Sequence, residues 1–333
     1  ISTVGPVSNL AQIETSKGFT RDLLSKYGID CSPRYQRFGS LSGVREFLDL
    51  LSDDFVVKYD GLMGGKGVKV SGEHLHSHDE ALAYCEHLIS NSGTFVVEEK
   101  IFGEEFSLMS FCDGNKLIHM PAVQDHKRAY EGDLGPNTGG MGSYSPAPQL
   151  SPKNKSFIIS KIINPTLEAL RSKNSEFVGV LYCGLILTKN GIFVIEFNCR
   201  LGDPETQVVL PSLEYDIIDL IESCLDKSNN KIFETNSKSA VGVVLASKGY
   251  PGKYNTGEKI IISDYSDKNN SYIFHAGTKK SDENLLTSGG RVLTVVGTGN
   301  SINEARNLAY KLCDKISFNN KYFRKDIAKI IKE

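Results

Sequence analysis

The sequence predicts an α+β protein with more than one domain, and three observations predict it. Segments of helical periodicity and runs of β-type alternation both recur along the chain, several of the latter facing each other across short turns. The 333 residues, 40% of them apolar, exceed the roughly 250 to 300 that a single hydrophobic core supports. A stretch poor in large apolar residues, DKSNNKIFETNSKS at 226–239, separates a long first part from a short second one.

In chain order, Leu10, Ile13, Phe19, Leu23 and Leu24 fall at the spacings of a buried helix face and predict a helix over 8–27. A second helix is expected over 42–52. The apolar run Phe55-Val56-Val57 and the alternating pair Val68 and Val70 predict two strands joined by a glycine-rich loop. A helix over 78–91, a strand over 94–101 and two strands about Asp113-Gly114-Asn115 follow. Residues 124–148, polar and rich in glycine and proline, read as one long loop, and loops of that length are commonly functional. Ile158, Ile159, Ile162, Leu167 and Leu170 predict a helix over 153–173. VGVLYCGLILT and GIFVIEFNCR predict a hairpin about Lys189-Asn190-Gly191, with a helix near 213–225 after it. Beyond the linker, strands at 240–246, 258–263, 272–275 and 291–296 and a helix over 301–316 make a small α+β domain.

The charge balance narrows the partners. Lys and Arg number 38 against 40 Asp and Glu, for a net charge of −2, and no basic block suits a nucleic acid or an anionic membrane. Small molecules are the expected partners. The seven cysteines form no C-x-x-C pair, which argues against a zinc site and a disulfide framework and for reduced thiols. No apolar run reaches the roughly 18 residues of a membrane helix, and the first residues lack the order of a signal peptide. A cytoplasmic location is expected.

The loop in FVVKYDGLMGGKG raises the first chemical question, because glycines beside Lys58 and Lys66 look like a phosphate cradle. A Walker A loop requires Ser or Thr after its lysine and opens a helix. Here Gly67 follows Lys66, Asp60 occupies the place of the first glycine, and a strand comes next. The remaining readings are a flexible hairpin lid that closes backbone N–H groups over phosphates, and a solvated glycine-rich hairpin. In FVIEFNCRLGDPE the side chains of Glu196 and Asn198 share one face of a strand while Phe193, Ile195 and Phe197 take the other. Two oxygen donors near a strand end suit magnesium, which takes few protein oxygens; an ordinary half-exposed strand face has the same pattern. Glu98 and Glu105 flank a short connection in VVEEKIFGEE that could serve an adenine edge and ribose hydroxyls, or be a solvated acidic turn. QDHKRAYEGDLGPNTGGMGSYSPAP unites Asp125, His126, Lys127 and Arg128 with Asn137 and Thr138, cations and mobile N–H groups that could grip a sugar phosphate or a carboxylate. His126 is assigned no catalytic role.

Together these segments, with IETSKGFTRDLL, GYPGKYNTGE, FHAGTK, SGGRVL and YFRKDI, resemble the glycinamide ribonucleotide synthetase (phosphoribosylamine–glycine ligase) family of the ATP-grasp superfamily, in family order and from Gly5 to Ile327. The resemblance implies an ATP-grasp fold, its core starting over 1–34, a lid subdomain over 35–97, a catalytic core over 98–235 and a C-terminal domain over 236–333. It further implies that Lys17 and Lys58 contact ATP phosphates and that Gly64, Gly65, Lys66 and Gly67 form the lid. Glu98, Glu99 and Ile101 would lie at the adenine, Glu105 at the ribose, and Glu196 and Asn198 at Mg2+ or Mn2+. Asp125, Lys127, Arg128, Asn137, Thr138 and Arg200 match the substrate-side motifs. The implied reaction joins glycine to 5-phosphoribosylamine through glycyl phosphate, in a monomer or weak homodimer that binds neither nucleic acid nor membrane. Met63-Gly64, Tyr59 and the ending FRKDIA depart from the family pattern without removing a charged group. Family members begin with an N-terminal domain, and this sequence starts after it, so a chain lacking that domain or a piece of a longer one is expected. The alternatives are another ATP-grasp carboxylate–amine ligase, and a nucleotide-binding fragment inactive without the N-terminal domain.

Overall fold

The structure, a computed structural model, describes residues 3–63, 67–91, 93–171, 175–226, 233, 238–267 and 269–329. The chain forms two compact units, one built from residues 1–118, 149–200 and 224–228, the other from 119–148, 201–223 and 229–333. Helices and strands mix in both, as the α+β expectation requires.

The first unit opens with helices Ser8–Thr15 and Lys17–Lys26 where the periodicity predicts one helix. The break is at Ser16, whose extended backbone lets its hydroxyl cap the second helix by accepting from the Phe19 N–H. Leu10, Ile13, Leu23 and Leu24 are buried as expected. A four-stranded antiparallel sheet follows in the order Tyr35–Phe38, Phe95–Glu99, Phe55–Tyr59, Val68–Val70. Its register sets Val56 opposite Glu98 and Lys58 opposite Val96, so Lys58 and Glu98 are diagonal neighbours on one face. The other face carries Phe55, Val57, Phe95 and Val97 into a core with Val44, Leu48, Ala81, Cys85 and Leu88 from helices Val44–Leu51 and His78–Ser90.

A second four-stranded antiparallel sheet runs in the order Gly191–Asn198, Val178–Thr188, Glu104–Asp113, Leu117–His119. The expected turn is in place, with the Asp113 carboxylate accepting from the N–H groups of Asn115 and Lys116 and Gly114 at φ 96°. The helix predicted over 153–173 runs as Pro152–Phe157, a π-helical turn Ile158–Ile163 and Asn164–Arg171. Pro165, which has no N–H and crowds the preceding turn, accounts for the widened stretch.

The second unit is built on a six-stranded sheet: Ser271–His275, Arg291–Gly299, Ser239–Ser247, Gly142–Ser145 and Gln124–Asp125 in that order, with Lys321–Tyr322 pairing onto Ser239–Ser247. Helix Ile302–Cys313 packs Ala305, Ala309 and Leu312 against Val241, Val243, Val292 and Val295. Gly297 permits that approach, since a Cβ there would lie 2.3 Å from the Ala305 carbonyl oxygen.

The expectation of one long loop over 124–148 is corrected here. The segment contributes two strands to the sheet and folds Arg128–Tyr130 against Leu134–Asn137 as a hairpin. Strands this short and polar carry no readable alternation, and Gly142–Ser145 pairs with a partner about a hundred residues later in the chain. Helix Glu205–Val209 and the hairpin Thr278–Ser281 with Asn284–Thr287 were not expected either. The expected linker over 226–239 falls largely outside the described residues. None of the seven cysteines is in a disulfide, and no described helix is long and apolar enough to cross a membrane.

Candidate active site

Lys58 and Glu98 form the centre of the first unit's polar cluster. Lys58 Nζ lies 2.6 Å from Glu98 Oε2, and Arg21 grips the same carboxylate from Nε at 2.8 Å and Nη2 at 3.1 Å. Arg21 and Glu98 are each 2% exposed. Burial alone would raise the Glu98 carboxyl, but the charges and hydrogen bonds of Arg21 and Lys58 outweigh it and bring it down to about 2. Arg21 also donates to the Val194 and Ile195 carbonyls at 3.0 and 2.9 Å. One buried guanidinium thus ties the strand bearing Glu98 to the strand bearing Glu196 and Asn198.

Lys17 starts helix Lys17–Lys26 and donates to the Gly61 carbonyl at 3.1 Å, where the chain leaves the Lys58 strand. Asp60 fixes that junction: its Oδ1 accepts from Ser16 Oγ at 2.8 Å and Gly18 N at 3.0 Å, and Arg37 pairs with its Oδ2 at 3.0 Å. Gly18 is required by the crowding, because a Cβ would meet Arg37 Cδ at 2.6 Å and Asp60 Oδ2 at 2.8 Å. Burial lowers the Lys17 pKa, opposed by the field of Glu196, while Lys58 adds to the lowering. Lys17, Lys58, Glu98 and Glu196 therefore share one electrostatic environment.

Glu196 and Asn198 lie side by side near the end of their strand, with Asn198 Nδ2 3.4 Å from Glu196 Oε1. Arg200 Nη2 donates to Asn198 Oδ1 at 3.3 Å, and Glu14 anchors the turn by accepting from Arg200 Nε at 2.9 Å and Cys199 N at 2.8 Å. Among the described residues no group of three or more His, Cys, Asp and Glu could hold a metal. The Asn198 amide thus turns its nitrogen to Glu196 and its oxygen to Arg200; with the amide rotated, one carboxylate and one amide oxygen would suit a hard cation that completes its shell with phosphate oxygens and water.

The remaining predicted residues of this unit are placed as follows. Glu99 pairs with Arg34 at 3.0 Å; Ile101 is half-buried in the connection to the strand starting at Glu104, and Glu105 lies opposite Ile186 on that strand. The Glu98 carboxylate faces Lys58 and Arg21, so an adenine contact from this residue would fall to its backbone. Gly64, Gly65 and Lys66 lie outside the described residues. Gly67 is buried, its carbonyl accepting from Tyr59 N at 2.8 Å.

The substrate-side residues belong to the second unit, Arg200 excepted. Asp125 pairs with Ser143 in the sheet, and Arg128 lies opposite Asn137 in the hairpin, with its Nη1 donating to Gly135 O at 3.1 Å. Thr138 closes onto the Lys127 carbonyl through both N–H and hydroxyl at 2.8 Å. Arg291 clasps the next turn, bonding Gly139 O at 2.6 Å and Asp203 Oδ2 at 2.8 Å. His126 stands between these residues with Nδ1 buried and unbonded; burial and then the Arg324 charge bring its pKa down to about 4.

Residues 15–206 match the family described as phosphoribosylglycinamide synthetase, ATP-grasp (A) domain, and residues 240–330 match the phosphoribosylglycinamide synthetase C domain. The chain belongs to the phosphoribosylglycinamide synthetase family. Phosphoribosylamine–glycine ligase of Halalkalibacterium halodurans is 40% identical over 97% of this chain and 75% of the relative. The bifunctional purine biosynthetic protein ADE1 of Schizosaccharomyces pombe is 41% identical over 98% of this chain and 42% of its own length. The crystal structure of phosphoribosylamine–glycine ligase from Thermotoga maritima superposes with a TM-score of 0.88 at 34% identity, over 97% of this chain and 81% of that one. The fold is accordingly ATP-grasp with a small C-terminal α+β domain.

In this member of the family, Glu14, Arg21, Asp60, Arg291 and Arg324 belong to the polar clusters without having been picked out from the sequence. Arg21 looks like a surface residue of an amphipathic helix, and only the helix's burial against two sheets reveals its partners. Asp60 carried a signal, as a charge between the strand lysine and the glycines.

Proposed function

We propose that the chain carries out the ATP-dependent joining of glycine to 5-phosphoribosylamine, giving glycinamide ribonucleotide, ADP and phosphate in purine biosynthesis. The observation that carries the reading is the Arg21 guanidinium that joins Glu98, the partner of Lys58, to the strand of Glu196 and Asn198, with Lys17 reaching the Gly61 carbonyl just beyond Lys58. Two ammonium groups beside two oxygen donors are what a polyphosphate with its divalent cation requires.

Lys58, held from behind by Glu98, offers a fixed charge to the phosphates, and Lys17 offers a second from the helix start. Glu196 and Asn198 would hold Mg2+ or Mn2+, which when bound supplies charge neutralisation across the transferring phosphoryl group. The backbone at Glu98, Glu99 and Ile101 serves the adenine and Glu105 the ribose, while Gly64 to Gly67 close over the phosphates. The glycine carboxylate attacks the γ-phosphoryl group, forming glycyl phosphate and ADP. The ribosylamine nitrogen then attacks the acyl carbon and phosphate leaves. Lys127, Arg128, Asn137, Thr138 and Arg200 bind and orient the phosphate and carboxylate of the two substrates, and Asp125 accepts from a substrate amine or hydroxyl. Positioning and charge neutralisation suffice, and no enzyme nucleophile is needed. The seven thiols, none of them in a disulfide, agree with a cytoplasmic location, and we expect a monomer or weak homodimer.

Mass spectrometry of the products tests the reading. Glycinamide ribonucleotide should accumulate with ADP in equal amounts when both substrates are present. Formation of ADP with a different amide product would redirect the assignment to another carboxylate–amine ligase.

A further inference from the structure

The C-terminal motif YFRKDI has no part in the chemistry above, yet it contains Arg324, a guanidinium only 1% exposed. Burying a cation is unfavourable unless its partners are complete, and an apolar residue would usually stabilise as well. Four of its five N–H groups are bonded here, to specific partners. Nε and Nη2 form a fork with both Asp326 oxygens at 2.8 Å, while Nη1 bonds the Arg128 carbonyl at 3.0 Å and Asp133 Oδ1 at 2.8 Å.

The neighbours of Arg324 extend the grip. Asp326 Oδ2 accepts from Gly132 N at 2.8 Å, and the Lys325 N–H donates to Glu131 Oε1 at 3.2 Å. Tyr322 donates its hydroxyl to the Ala129 carbonyl at 2.8 Å and meets the Tyr130 ring edge-on at 6.2 Å between centroids. Every residue from Arg128 to Asp133 is thus held by the segment 322–326. The hairpin that this turn joins is anchored at its base by Thr138 on the Lys127 carbonyl, and the segment 322–326 holds its tip. Leu134–Asn137 is exposed at every residue, and an isolated two-stranded hairpin is marginal in water.

We propose that Arg324 is a positioning residue for the substrate side of the site. It fixes the hairpin that bears Arg128, Asn137 and Thr138 so that these meet an anionic group of substrate, the phosphate ester of the ribosylamine or the glycine carboxylate. Arg324 touches no substrate itself. The inference rests on the reading of that hairpin as substrate-binding.

The test uses the full-length protein and steady-state ADP release, with glycine, phosphoribosylamine and ATP varied in turn. Arg324→Gln should raise the KM of one or both substrates by about tenfold and leave the KM for ATP within about twofold. The substrate affected identifies which anion the hairpin holds. Arg324→Lys, which keeps the charge but lacks the fork, should recover part of the loss, and it serves alone if Arg324→Gln does not fold. Combining Arg324→Gln with Arg128→Gln should add little to the effect of Arg128→Gln. Unchanged substrate KM values in folded Arg324 variants, or an equal rise for ATP, would overturn the proposal. If Arg128→Gln itself leaves both substrate KM values unchanged, the substrate-side reading fails, and the proposal with it.

Discussion

Lys58 and Glu98, set diagonally on adjacent strands, meet at 2.6 Å, and Arg21 bonds both oxygens of the same carboxylate. The proposed phosphate-binding lysine is therefore not a free arm. Its position is determined by a buried carboxylate that is itself clamped.

Glu98→Gln should consequently affect more than one property. Arg21 would be left buried without its counter-charge, and breaking such a pair from one side costs roughly 3 to 5 kcal/mol. We expect a loss of that order in urea unfolding, with a higher KM for ATP in the protein that remains folded. A variant as stable as wild type would show that the pair contributes little to the fold.

Glu196→Ala removes the only carboxylate of the proposed metal pair. The Mg2+ concentration for half-maximal ADP release should rise about tenfold or more, while unfolding is little changed because Glu196 is exposed. A titration that overlays wild type would remove Glu196 from the metal site.

His126 predicts a pH dependence with a definite sign. Burial and the Arg324 charge, partly offset by Asp133 and Asp326, lower its pKa from 6.5 to about 4 in the fold. As pH falls from 6.5 towards 4, the unfolded chain takes up a proton that the folded imidazole refuses, so stability present above that window is lost within it. His126→Gln should flatten the pH–stability curve between 6.5 and 4 by about 3 kcal/mol. Glu98 acts in a lower window, its stabilisation being lost as pH falls from 4.5 through about 2. Parallel curves for wild type and His126→Gln would contradict the assignment.

Much of this was legible in the sequence. Val56 and Val57 before Lys58, and the alternation about Glu196 and Asn198, placed the lysine and the oxygen donors on strands, because a half-buried sheet imposes period two. Gly67 after Lys66, Asp60 in the place of the first glycine and the strand that follows excluded a helix-opening phosphate loop. What the sequence hid was long-range. Helices Ser8–Thr15 and Lys17–Lys26 read as one, since only the cap at Ser16 divides them. The strands within 124–148 were invisible because two to four polar residues carry no periodicity, and Gly142–Ser145 has a sheet partner about a hundred residues later. Arg21 and Arg324 look like ordinary surface cations until the fold buries them.

The most direct test of the central claim is ADP release by the full-length protein with glycine and phosphoribosylamine together, and with each omitted, for wild type and Lys58→Ala. We predict release that requires both substrates and that falls at least about a hundredfold in Lys58→Ala. Release independent of either substrate, or wild-type turnover by Lys58→Ala, would contradict the account.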